Sequence, residues 1–313
     1  MDLRQLRYFI AIVERGSFSK ASEVLNVAQP ALSLHVRNME SELGCSLLFR
    51  SSQGVTATEA GEILLRNARI IIEQFSIARQ EIQGLDSEPS GDVRIGLPGT
   101  ISQILAVPLI VEARKKFPRI KLRIAEAMSG FVLEWIRDAR VDLAVLYTTV
   151  SDRALTSVPV LSEELWLLGP VKPPAGVEQP EPGQCSYERL SKLPLILPSN
   201  THGLRALLEK EAAAHALQLN TVIEVDSYTN IKGLVEIGIG YSVLPFNSIA
   251  REAQSGRLLA WRIGKPKLQR SVNLIRPADR RLTPAVASIE ELCRSVLLQL
   301  ASTGKWNGAK FLK

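Results

Sequence analysis

Two amphipathic stretches near the start of the chain are joined by only Asn26-Val27-Ala28, and so short a connection leaves them few ways to pack. Leu3, Leu6, Ile10 and Val13 recur at steps of three and four, an amphipathic helix ending near Gly16. Ser17 and Ser19 offer N-caps for a second, short helix with Ala21, Val24 and Leu25 facing inward, stopped by Asn26. Gln29 is the expected N-cap of a third helix, with Pro30 at its first position, where a missing N–H costs nothing. In that helix Leu32, Val36, Met39 and Leu43 form the core side, while Pro30, Ser33, Leu34, Arg37, Asn38 and Ser41 project from the opposite face. Two helices about a three-residue turn, the second with a small and polar outer face, make a helix-turn-helix over about 18–37.

Such a face suits the major groove of duplex DNA. On a duplex, Gln29 could pair with adenine through two hydrogen bonds, Ser33 can bond either base type, Leu34 can touch a thymine methyl, and Arg37 is better placed for a phosphate. Leu47-Leu48-Phe49-Arg50, a turn at Ser51-Ser52-Gln53-Gly54, and Val55-Thr56 read as a hairpin wing that sets Arg50, Ser51 and Ser52 near the sugar-phosphate backbone. The same pattern also fits a three-helix domain that never meets DNA. Bulk charge does not decide between the two. The net charge is +6, but residues 1–58 carry six basic side chains against five acidic ones, and residues 59–90 carry three against six. The basic excess therefore lies beyond Gly91, as a solvated surface or as an attraction for a small anion.

At the level of fixed spacings, Leu6-Arg7-Tyr8-Phe9, Gly16-Ser17-Phe18, Ala21 with Leu25, Ala28-Gln29-Pro30-Ala31-Leu32-Ser33, Glu40 with Leu43-Gly44, Leu47-Leu48-Phe49-Arg50 and Thr58-Glu59-Ala60-Gly61 make residues 1–61 resemble the N-terminal module of LysR-type transcriptional regulators. The sequence departs from the usual family text at Leu34, His35 and Asn38, where polar or basic residues are commoner, and this bears on which bases are preferred.

Thr58 caps the next helix, with Glu59 and Glu62 in its first turn, where the helix dipole favours negative charge. Leu64, Ile71, Phe75, Ala78, Ile82 and Leu85 then run at steps of seven, four, three, four and three, a heptad seam. The stripe either packs on a globular core or pairs with a second copy; the resemblance implies a dimer carrying two reading heads. Residues 59–88 form this linker, and the polar Asp86–Gly91 stretch is the hinge beyond it.

From Val93 onward strand-like and helical runs alternate, which argues for an α/β layer with a mostly parallel sheet, repeated in two comparable halves. Val171 to Gly183 reads as an exposed loop between them, and Pro284 to Leu300 as a final amphipathic helix. Gly91-Asp92-Val93-Arg94-Ile95-Gly96, Val141-Asp142-Leu143-Ala144-Val145 and Gly238-Ile239-Gly240-Tyr241-Ser242-Val243-Leu244-Pro245 look like the effector domain of the same family. That domain is similar to periplasmic binding proteins, which implies two subdomains, 91–160 with 262–302 and 161–261, crossover strands near Val160 and Trp261, and a ligand cleft between them.

Ligands of open α/β sheets collect beyond the carboxyl ends of strands, where helix N-termini supply free N–H groups. Gly99, Thr100, Ile101 and Ser102 follow the first strand of one half, and Ser199, Asn200 and Thr201 the first strand of the other, with Arg205 one turn later to grip a carboxylate, phosphate or sulfate. Ser129, Thr148, Thr149, Asp226 and Phe246 stand at further strand ends. Ordinary helix capping accounts for the same loops, and the family's cleft residues fall on both.

Two rival classes remain, an α/β enzyme and a stand-alone small-molecule-binding protein with a helical N-terminus that ignores DNA. No G-x-S-x-G elbow, P-loop or H-E-x-x-H pair occurs, so no catalytic residue, metal or cofactor is expected. Cys45, Cys185 and Cys293 are odd in number and far apart, which fits reduced thiols. A charged start, Met1-Asp2-Leu3-Arg4, and the lack of an apolar run of ~20 residues point to a cytoplasmic location and no membrane partner. The resemblance implies a homodimer or homotetramer on an interrupted palindrome in promoter DNA, a small effector, and RNA polymerase as a partner. The overall text is similar to the nitrogen- and sulfur-assimilation branch.

Overall fold

The computed structural model of the chain describes residues 1–51, 54–83, 88–147, 150, 152–200, 202–265, 267–278 and 281–312. The chain divides into two compact units, one carried by Met1–Glu88 and the other by most of the remaining residues.

The first unit opens with three helices. In α1 (Leu3–Arg15) Asp2 accepts from the Gln5 N–H while the Gln5 side chain returns to the Asp2 N–H, a capping box, and Gly16 ends the helix in the left-handed region. Ser17 caps α2 (Phe18–Leu25) through Lys20 N, and Asn26 ends it at φ 52°. The third helix, α3 (Gln29–Leu43), begins one residue earlier than expected. Ala28 is its N-cap with no side-chain bond, Gln29 is already helical, and Pro30 sits within the first turn. Leu6, Phe9, Ile12, Phe18, Ala21, Leu32, Val36 and Met39 close the core, each burial contributing roughly 1.5–3 kcal/mol for the larger side chains.

Four apolar positions depart from the periodic reading. Phe9 and Ile12, not Ile10 and Val13, are the fully buried residues of α1. Val24 is 54% exposed, because a helix of only eight residues buries a narrow stripe that Phe18 and Ala21 already fill. Leu43 is 44% exposed, because α3 runs past the core at its last turn and Leu47 takes the vacant place.

A hairpin comes next, β1 (Leu48–Ser51) against β2 (Gly54–Ala57), with Leu48 opposite Ala57 and Ser51 opposite Gly54. Val55 N donates to Gly16 O at 2.9 Å, and a Cβ at Gly54 would stand 2.7 Å from that oxygen, so only glycine lets the wing lie on the end of α1. Thr58 then opens α4 (Glu59–Gln83): its hydroxyl accepts from Gly61 N at 3.0 Å and donates to Ser46 O at 2.7 Å.

In the second unit β3 (Gly91–Leu97), α5 (Gly99–Lys116), β4 (Ile120–Glu126), α6 (Ser129–Arg137) and β5 (Leu143–Leu146) build a parallel sheet in the order β4-β3-β5. The long β6 (Leu155–Pro170) leads to β7 (Gln184–Cys185), α7 (Tyr187–Lys192), β8 (Leu195–Leu197), α8 (Gly203–Ala214), β9 (Thr221–Glu224), α9 (Tyr228–Glu236), β10 (Ser242–Pro245), α10 (Phe246–Gln254) and β11 (Leu258–Ile263). The chain returns through β12 (Gln269–Pro277), α11 (Pro284–Ser302) and β13 (Ala309–Phe311).

One strand serves both sheets. From Leu155 to Glu164 β6 pairs with β12, which pairs in turn with β5; from Leu165 to Pro170 it pairs with β10 and β11 instead. Leu195 bridges in parallel to Tyr241, which brings β8 and β9 beside β10. The crossovers thus fall after Glu164 and between Ile263 and Gln269, beyond the expected Val160 and Trp261: Val160 still belongs to the first sheet, and Trp261 pairs with Leu167 in the second. An uninterrupted strand that changes neighbours has no turn to mark the place.

Candidate functional site

On the outer side of α3, Gln29, Pro30, Leu34 and Arg37 are exposed and Ser33 is half-buried. Ser19, at the start of α2, donates its hydroxyl to Gln29 Oε1 at 3.2 Å, so the two helices of the motif share a bond that orients the Gln29 amide. His35 turns the other way and lies 5.2 Å from the Tyr8 ring, so this departure from the family text is a matter of packing on α1.

The wing's arginine does not stand out at the hairpin edge. Arg50 folds back over the Phe18 ring, 5.1 Å from its centroid, with Nη1 donating to Ser33 Oγ at 3.4 Å and Nη2 3.5 Å from Glu40 Oε2. This ties the wing to the α3 face, and the cation over the ring contributes roughly 0.5–1 kcal/mol. Glu40 also accepts from Leu47 N at 2.9 Å. Ser51 is exposed and bonds Gly54 O, while Ser52 lies outside the described residues.

Along α4, Ile71, Phe75 and Ile82 are 45%, 48% and 83% exposed, with exposed Ala78 between them. Leu64 turns part of its surface to the first unit's core, and Leu85 lies outside the described residues. Ile63 is a further exposed apolar residue of this helix, which the heptad steps do not include.

The second unit holds a cleft of about 930 Å³ at the carboxyl ends of its strands. Gly99, Thr100, Ser129 and Asp226 line it, each from a strand end or a helix start. Ile101 is buried beneath it, and Ser102, Ser199, Asn200 and Phe246 lie outside its lining. Ser199 N instead donates to Asp226 Oδ1 at 2.9 Å, a backbone bond that holds the Asp226 carboxyl below its usual range. Phe246 stacks on Trp166, with ring centroids 4.4 Å apart. Thr148, Thr149 and Thr201 lie outside the described residues.

Arg205 is not the cleft's cation. It is 8% exposed, its Nε donates to Glu209 at 2.7 Å, and its Nη1 reaches Glu224 at 3.2 Å and Pro198 O at 3.4 Å. Two carboxylates occupy its fork, so it braces α8 against β9 and lies outside the cleft's lining.

The cation on the cleft floor is Arg270 of β12, which strand alternation does not single out. Its Nε donates to Glu163 Oε2 at 2.9 Å, and its guanidinium lies 3.3 Å from the centre of the Tyr147 ring. Tyr147 OH and Thr100 Oγ1 are 3.0 Å apart, so the floor is connected to the first turn of α5. Tyr228 also lines the cleft, and burial pushes its phenol and that of Tyr147 above the usual range. His202 accepts from Leu204 N at 3.1 Å as the N-cap of α8; burial, reinforced by Arg270, lowers its pKa against the pull of Asp226.

Charge of both signs surrounds this space. Arg270 faces Glu163, Lys232 is bound to Glu252 at 2.6 Å, and Glu126, Lys210 and Asp226 also line the space. Such a lining presents fixed donors and acceptors more than a net positive field. Among the described residues no group of histidine, cysteine and carboxylate side chains could hold a metal, and no helix is long and apolar enough to cross a membrane. Cys185 and Cys293 are buried free thiols, pushed by burial up to about 11 and about 12, respectively.

Comparison with known proteins matches each unit to a described family. Residues 3–62 match "Bacterial regulatory helix-turn-helix protein, lysR family", and residues 86–298 match "LysR substrate binding domain". The nitrogen assimilation regulatory protein nac of Escherichia coli (strain K12) is 33% identical over 301 residues, covering 95% of each chain. Among solved structures, a cysteine-to-aspartate variant of full-length OxyR from Pseudomonas aeruginosa superposes with a TM-score of 0.78 at 26% identity, covering 95% of each chain. Full-length BenM gives a TM-score of 0.59 at 25% identity, over 97% of this chain and 98% of its own.

Proposed function

The chain belongs to the lysR family of bacterial regulatory proteins and is a DNA-binding transcriptional regulator with an effector-binding domain, and from that premise we propose how its residues do the work. Gln29, Pro30, Ser33 and Leu34 enter the major groove, Arg37 meets a phosphate, and the wing, including Ser51 and Ser52, tracks the sugar-phosphate backbone. Arg50 acts by holding the wing against α3. The observation that carries this reading is the exposed outer face of α3, with Gln29 already oriented by Ser19.

Two copies pair through the apolar stripe of α4, with Leu64, Ile71, Phe75, Ala78, Ile82 and Leu85 in the seam, and two such dimers form a tetramer on an interrupted palindrome. Exposed Ile71, Phe75 and Ile82 support a partner helix there. The assembly works in the cytoplasm, meets RNA polymerase at promoters, and catalyses no reaction.

A small anion or zwitterion binds in the cleft, with an acidic oxygen at the Gly99 and Thr100 end of α5 and above Arg270. Ser129 and Asp226 line the remainder. Its effect on DNA requires different affinities for two arrangements of the subdomains. Relatedness to a nitrogen assimilation regulator supports target genes in nitrogen supply. Selection of genomic fragments by the full chain tests the whole reading. A shared interrupted palindrome beside such genes is expected, and fragments with no common sequence would overturn it.

A further inference from the structure

The helix α11 packs with α5 and β3, yet the residues after it leave that layer and run along the crossover strand. There β13 pairs antiparallel with β6, Ala309 opposite Glu163 and Phe311 opposite Leu161. The other edge of the same stretch carries β12, with Arg270 opposite Glu163. Glu163 therefore lies between the two, and its side chain is 1% exposed. Trp306, itself 1% exposed, donates its indole N–H to Glu163 Oε1 at 2.7 Å, while Oε2 receives Arg270.

A carboxylate whose two oxygens are bound to donors on different elements is held in one orientation about its last bond. With Oε1 fixed by the indole, Oε2 must face the guanidinium, so the indole sets where Arg270 stands on the cleft floor. The route continues through the Tyr147 ring to Thr100 at the start of α5. The same segment also reaches the second subdomain. Asn307 N donates to Asn247 Oδ1 on α10 at 3.0 Å, and Gly308 O accepts from Glu164 N at 3.0 Å, at the residue after which β6 changes sheets.

We propose that the segment from Thr303 to Leu312 is a strap across the crossover, and that Trp306 is a positioning residue which, through Glu163, holds the cleft's arginine in place. Coupling of this kind is reciprocal: an occupant that draws Arg270 away from Glu163 loosens the strap, and a strap held down resists the rearrangement. Only that consequence rests on the cleft being the effector site.

Hydrogen exchange of the full chain, read peptide by peptide without added effector, tests the strap. Trp306→Phe keeps an aromatic ring and removes the donor. It is expected to speed exchange roughly ten-fold in peptides covering 143–147 and 269–272, with β8 and β9 at parental rates. Asn247→Ala releases the strap from its other side and is expected to speed exchange in peptides covering 163–166 and 304–309. Unchanged rates in both variants, or an even rise across β3, β8 and β9, would overturn the proposal. A cleft that binds no effector would sink the functional reading and leave this outcome untouched.

Discussion

At Arg205 and Arg270 the same side chain performs two different tasks, and sequence alone points to the wrong one for a ligand. Arg205 comes one turn after a strand-end loop, the place where an anion grip is expected, but Glu209 and Glu224 already occupy its guanidinium. Arg205→Ala should lower stability by about 1–2 kcal/mol, since both carboxylates keep access to water, and leave any ligand-induced thermal shift intact. Loss of that shift with unchanged melting would return Arg205 to the cleft. Arg270 could not be read from sequence because it stands between Gln269 and Ser271 in a polar run that looks solvent-facing, and only the pairing of β12 with β6 sets it opposite a buried glutamate. His202 makes a pH prediction. Its pKa is lower when folded than when unfolded, so its neutral form stabilises the fold fully above about 6.5 and that contribution is lost as pH falls through the lowered value. Urea midpoints between pH 8 and pH 5 should therefore fall further for the parent than for His202→Asn; equal falls would remove His202 as the source.

Among the elements, those bounded by local chemistry were legible and those defined by long-range pairing were not. Ser17, Asn26, Thr58 and the glycines after α1 and α3 cap their helices through bonds within a few residues, which is why spacing alone finds these ends. The place where β6 passes from one sheet to the other, and β13 beside it, depend on strands about a hundred residues away, with no local mark. The helix α4 lies between these cases: its stripe is plain in sequence, but whether it meets its own core or a second chain is not. Leu64 divides its surface, whereas Ile71, Phe75 and Ile82 remain open. Phe75→Glu should split the assembly in sedimentation and weaken binding to a palindrome far more than to a half-site, because two linked heads gain from effective concentration. An oligomer of unchanged mass would place the interface elsewhere.

For the molecule as a whole, one unit carries a DNA-reading motif and the other a ligand cleft, and the central claim concerns what the first unit does with the outer face of α3. Sequence specificity must come from base edges read by a few side chains, since residues 1–58 carry almost as many acidic as basic groups and cannot rely on bulk attraction. Arg37→Ala should accordingly weaken binding to all duplexes alike and reduce the salt slope by about one. The most direct test is the ratio of affinities for a selected operator and a scrambled duplex, measured at one salt concentration for the full chain and for Gln29→Ala. The ratio should fall by about 1–3 kcal/mol in the variant, with affinity for the scrambled duplex unchanged. A ratio that survives the substitution, or a parent chain that binds both duplexes equally, would contradict the assignment of α3 as the reading head.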